Sequence, residues 1–143
     1  MNYNYGRIKT VKVTLGGVAV AGCDFNFVTA ANQNEQPINL GALVPAKAQL
    51  LSVYTFTDTA FTGAVSLGVK IGTGTGGTEI AASADVIAAN AINQTAVGAG
   101  FTLVAITAAA KNIWLSATPG ANWSLATAGK LTCYITFIDI TSL

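Results

Sequence analysis

The stretch Ala128-Gly129-Lys130-Leu131-Thr132-Cys133-Tyr134-Ile135-Thr136-Phe137-Ile138-Asp139-Ile140 decides the fold class. Leu131, Cys133, Ile135 and Phe137 alternate with Thr132, Tyr134 and Thr136, and this period of two gives a strand one apolar face. Tyr134, Ile138 and Ile140 lend the opposite face an apolar end. Just upstream, Pro119-Gly120 makes a turn, a segment of small residues follows, and Gly129 leads into the strand.

Working outward, the same period recurs. Ile113, Leu115 and Ala117 mark a strand before the turn, and Phe101, Leu103 and Ala105 another before that. Val65, Leu67, Val69 and Ile71 alternate with Ser66, Gly68 and Lys70. Gln49 to Thr57 is apolar on both faces near its centre, as expected of a strand held between layers. Asp58 to Gly63 reads as a connecting loop and Gly72 to Thr78 as a flexible one. Val44-Pro45-Ala46-Lys47-Ala48 is a break, preceded by an extended segment from Ile38 to Leu43. Val11, Val13 and Leu15 begin the pattern, and Cys23, Phe25 and Phe27 repeat it. Between Glu79 and Ala96 the composition favours a short helix, capped by Ser83 or Asp85 and running through Ala91, or irregular structure. About eight short strands with Gly- and Pro-bearing turns predict an all-β, single-domain jelly-roll or β-sandwich of antiparallel strands.

At 143 residues the chain is one domain by length and long enough to bury a core without metals or disulfides. Net charge is +1 and pI about 7.7, so no global field recruits nucleic acid or an acidic membrane. Only 7 basic and 6 acidic residues stand among 25 Ala and 18 Thr. A monomer built this way has an unusually neutral surface, which packing against copies of itself would cover. Val86 to Ala110 is uncharged, but Asn90, Asn93, Gln94, Thr95 and Thr102 interrupt it, so no membrane span is expected. The first residues lack a cationic region leading into an apolar one, and no signal peptide is expected. Cys23 and Cys133 then read as buried thiols in a reducing compartment, with a single bridge left open.

Catalysis is hard to assemble from these residues. The chain has no histidine, so the commonest general base and metal ligand is missing. Asp24, Glu35, Asp58, Glu79, Asp85 and Asp139 are scattered, and Asp58 and Asp85 suit turn caps better than a calcium loop with Glu79. Gly72-Thr73-Gly74-Thr75-Gly76-Gly77 matches the G-x-G-x-x-G pattern, yet no acid lies between Asp85 and Asp139 and the strand before it looks half exposed. We expect no enzyme, cofactor or metal site. Candidate partner-binding residues are Arg7, Lys9 and Lys12, a basic cluster with no acid before Asp24, together with Trp123 beside the Pro119-Gly120 turn. Trp114, inside a strand, reads as packing.

Three segments carry a resemblance. They are Leu43-Val44-Pro45-Ala46-Lys47-Ala48-Gln49-Leu50-Leu51-Ser52-Val53-Tyr54, then Ala60-Phe61-Thr62-Gly63-Ala64-Val65-Ser66-Leu67-Gly68-Val69, then Ala128 to Phe137. A P-A-x-A lead-in, an A-F-x-G segment before an L-x-V strand and a closing G-x-L-T-x-x-I strand make residues 37–140 similar to small jelly-roll virion proteins of tailed bacteriophages. That resemblance implies a jelly roll over 37–143, with residues 1–36 as a strand-rich, partner-contacting arm. It implies a non-enzymatic capsid decoration (cement) protein, a homotrimer bound to the major capsid protein at the outer capsid surface after assembly in the host cytoplasm. Arg7, Lys9 and Lys12 would then form the capsid-contacting arm or pair with a neighbouring subunit by strand addition. The alternative is a minor tail, tail-tip or head-fibre component binding a glycan or host surface through Trp123, Tyr54 and loop residues. Neither reading involves nucleic acid or a membrane.

Overall fold

A computed structural model describes residues 7–16, 33–95 and 109–140. It contains β1 (Arg7–Gly16), β2 (Gln36–Val44), β3 (Ala48–Thr62), β4 (Leu67–Gly72), β5 (Ala81–Asp85), β6 (Ile92–Thr95), β7 (Lys111–Pro119) and β8 (Ala128–Asp139). One 3-10 turn, Trp123–Leu125, precedes β8. The strands form two antiparallel four-stranded sheets, ordered β1-β8-β3-β6 and β2-β7-β4-β5. We call them the first and second sheet. Consecutive described strands lie in different sheets except β4 and β5. The expected all-β sandwich of about eight antiparallel strands is the observed one.

Alternation builds the core. Leu131, Cys133, Ile135 and Phe137 on β8, with Leu50 and Val53 on β3, meet Leu67, Val69 and Ile71 on β4 and Ile113, Leu115 and Ala117 on β7. All are buried, and the intervening residues face outward. Each such side chain contributes roughly 1.5–3 kcal/mol by leaving water. Cys133 is a free, buried thiol, while Cys23 lies outside the described residues, as does the expected strand around Phe101. Among the described residues no helix is long and apolar enough to cross a membrane.

Four expectations need correction. β3 does not stop at Thr57 but continues to Thr62, because register shifts against β8 place exposed Asp58 and Thr59 at irregular positions while Phe61 still reaches the core. The short helix from Ser83 or Asp85 is absent. Ala81–Asp85 instead pairs with β4 and Ile92–Thr95 with β3, so tertiary pairing overrides the helix propensity of alanine. Asp85 does cap, accepting the Leu67 and Ile87 N–H groups on Oδ1 at 2.9 and 3.1 Å. The expected boundary at residue 36 does not set residues 7–16 apart from the sandwich. Arg7–Gly16 pairs residue for residue with β8, so this part of the expected arm is a strand of the first sheet.

The glycine loop is pinned. It is the turn of the β4–β5 hairpin, and it folds back over the outer face of the second sheet. Gly76 donates its N–H to Ser116 Oγ at 3.0 Å, Thr73 N–H points to Glu79 Oε2 at 3.3 Å, and the Lys70–Glu35 ion pair (2.5 Å) closes over Gly76. A Cβ on Gly72 would lie 2.5 Å from the Gly77 carbonyl carbon, so the backbone approaches too closely for a side chain. An antiparallel hairpin with no helix after it is no dinucleotide cradle.

Burial pushes the Cys133 thiol from its ordinary 9.0 up to about 12. The unfolded chain therefore releases this proton first. The thiol's contribution to stability is whole below pH 9 and is lost as pH rises from 9 to about 12, by about 1.4 kcal/mol per pH unit. Urea unfolding of the native chain and of Cys133→Ala between pH 8 and 10.5 should show a steeper alkaline decline in the native chain, and equal slopes would contradict it.

Candidate partner-binding surface

The two outer faces differ. On the second sheet the glycine loop lies over Lys70 and Ser116, and Ser116 is buried although its register parity points outward. Trp114 sits on that face, half-buried, in register with Asn39 and Gly72. On the first sheet no described element covers the outer face. The strand expected to lie between two layers, β3, therefore has a described layer on one side only, with Tyr54 and Phe56 half-buried on the other.

Register assembles that outer face in rows. Lys12, Tyr134 and Tyr54 line up across β1, β8 and β3, and Thr14, Thr132, Phe56 and Ile92 form the next row out to β6. The Tyr54 and Tyr134 rings stack at 4.7 Å, inclined by 10°, and Lys12 Nζ lies 5.7 Å from the Tyr134 centroid. Threonine hydroxyls bridge β1 and β8 at Thr10–Thr136 (2.9 Å) and Thr14–Thr132 (3.1 Å), and Thr132 donates to Asp58 Oδ2 at 2.5 Å. Ile8 and Ile92 stand 67% and 59% exposed at opposite edges. The face thus combines fixed aromatics, hydroxyls that satisfy one another and open aliphatic groups, with few charges to desolvate. Such a composition suits a protein contact better than a charged ligand.

The four residues singled out in the sequence separate here. Arg7, Lys9 and Lys12 all lie on β1, but Lys12 belongs to the outer face whereas Lys9 shares the parity of the core residues Val11, Val13 and Leu15. At the strand's end Lys9 turns to Asp139 in an ion pair of 2.5 Å. Arg7 is in register with Asp139 as well. Trp123 is elsewhere altogether. The 3-10 turn drives its indole into the core, leaving it 1% exposed, and its Nε1–H donates to the Asn34 carbonyl at 2.7 Å. Partner or sugar stacking by Trp123 is therefore corrected: the ring packs against the core and its polar handle is satisfied internally. Ile8, Phe56, Ile92 and Tyr134 were missed as surface candidates. The signal for Ile8 and Tyr134 lay in the even positions of β1 and β8, and that for Phe56 in the two-faced apolar run of β3, while Ile92 stands in a strand too short to show a period.

Among the described residues no group of three or more Cys, Asp or Glu is placed to hold a metal ion. Asp58, Glu79 and Asp85 each serve a local hydrogen bond instead.

In fold, the chain is similar to a chain of the cyanophage Pam1 capsid asymmetric unit, with a TM-score of 0.58 and 14% identity; the match covers 96% of this chain and 89% of that one. At this identity the likeness is one of fold. No protein-family model and no curated protein matches the chain.

Trp123→Ala should lower the unfolding free energy by about 3–5 kcal/mol in urea titrations, as expected for a large core side chain. A loss under ~1 kcal/mol would show that the indole is not the packed plug described.

Proposed function

We propose that this chain is a non-enzymatic bacteriophage virion structural protein, a capsid decoration (cement) protein that stands as a homotrimer on the shell of the major capsid protein. The observation carrying the reading is the near full-length fold likeness to a phage capsid chain, which leaves little of either chain unmatched. The outer face of the first sheet, which no described element covers, supports it, because a surface of stacked tyrosines, bridged threonines and exposed isoleucines gains by being covered. The lack of histidine in the sequence supports a protein that works by contact. The glycan-binding alternative loses its main aromatic with Trp123 in the core, and no specific observation favours it.

In this reading the protein adds strength by spanning subunit junctions. Each added interface need be worth only a few kcal/mol, since many copies act together on one shell.

Light scattering of the purified protein should give the mass of three 14.5 kDa chains, and mass spectrometry of purified virions should find the chain. Replacing Ile8 and Ile92 together by Asp should abolish co-sedimentation with shells. It should change stability by no more than about 0.5 kcal/mol per site, because both side chains are exposed. Virions without the chain would sink the reading. Undiminished co-sedimentation of the double variant would remove this face from it.

A further inference from the structure

The buried apolar side chains of the sandwich fall into two clusters. The division passes between Leu131 and Cys133 on β8, between Val69 and Ile71 on β4, and between Ile113 and Leu115 on β7. β3 meets this seam with threonine. Beyond Val53 its core positions are Thr55 and Thr57, and both are 0% exposed. Thr55 stands in register with Cys133 and Thr57 with Leu131, so each hydroxyl lies opposite a residue of a different cluster. The two hydroxyls fare differently. Thr57 Oγ1 donates to the Val86 carbonyl at 2.6 Å. Thr55 Oγ1 is as deeply buried and has no hydrogen-bond partner among the described residues. A hydroxyl taken into an apolar core without a partner is costly, and native buried polar atoms almost always have one.

We infer that the seam is a binding site for one water molecule, held by Thr55 Oγ1, Thr57 Oγ1 and the Cys133 thiol. The hydrogen-bonding capacity fits. Thr55 offers a donor and an acceptor, Thr57 can still accept after donating to Val86, and the thiol is a weak donor. A buried water typically makes about three such bonds. The spacing fits as well. Thr55 and Thr57 share one face of β3, about 6.5–7 Å apart at the rise of a strand, and a water about 2.8 Å from each hydroxyl oxygen bridges such a gap. Thr55 and Cys133 lie directly opposite each other, which sets their Cβ atoms about 4.5–5.5 Å apart. The chemistry of the seam selects its occupant. An apolar solute would leave the Thr55 hydroxyl unpaired. An ion would meet no counter-charge, because among the described residues no charged side chain is buried. The site does not depend on the decoration reading.

Oxygen-17 relaxation dispersion on the full chain detects water that stays bound for longer than the protein takes to tumble. Thr55→Val should lose the amplitude of one such water, whereas Thr55→Ser, which keeps a hydroxyl, should retain it. Urea unfolding gives a second reading. Valine at 55 removes one of the groups that hold the water, so the midpoint of Thr55→Val should fall or stay level. An unhydrated hydroxyl makes the opposite forecast, because valine would then delete an unpaired polar atom and raise the midpoint. Equal dispersion amplitude in the native chain and Thr55→Val, loss of the amplitude in Thr55→Ser, or a raised midpoint in Thr55→Val would each overturn the inference.

Discussion

Everything in this sandwich hangs on β8 lying between β1 and β3. It is hydrogen-bonded on both flanks, contributes Leu131, Cys133, Ile135 and Phe137 to the core, and places Tyr134 where Lys12 and Tyr54 meet it. Shifting β8 by one residue would send its four core side chains to solvent and bring Thr132, Tyr134 and Thr136 inside, so the apolar alternation itself enforces the register. Once β8 is set, β1 has one possible alignment, and the outer face of the first sheet follows from it row by row.

The second sheet is organised around a different constraint. Its hairpin is the one link between consecutive described strands that stays within a sheet, and around its turn stand Gly72, Gly74, Gly76 and Gly77, with backbone approaching too closely for a side chain at Gly72. The chain's own loop lies over one outer face, while no described element covers the other. At the loop end of the sandwich, Trp123 is held by Asn34, and the carbonyl of Leu125 sits where any side chain at Gly63 would have to go. That end is stoppered by packing, which is why an aromatic beside a turn did not prove to be a ligand platform.

Much of this was legible in the residues. The alternation of β8, β4 and β7, the break at Val44 to Ala48 and the two-layer all-β class all follow from period and turn chemistry. What escaped were segments whose pairing partners are distant. Ala81–Asp85 and Ile92–Thr95 are too short and too rich in small or polar residues to show a period, and only β4 and β3 make strands of them. The last turn of β3 was masked by Asp58 and Thr59, polar residues tolerated at register shifts. Of the candidate site, the basic character of β1 was readable. That Lys9 and Lys12 point to different sides was readable too, from the parity of Val11 and Val13. The burial of Trp123 was not, because its partner Asn34 lies 89 residues away.

The position of β8 also orders events on the ribosome. The strand that completes the first sheet is made after every other described strand, more than 110 residues after β1, yet it belongs in the middle. At about 5–20 residues per second, β1 and β3 emerge and wait on the order of ten seconds with no neighbour between them. The sheet therefore cannot grow strand by strand from the N-terminus, and the nascent chain must hold two separated edges apart from other chains until β8 inserts between them.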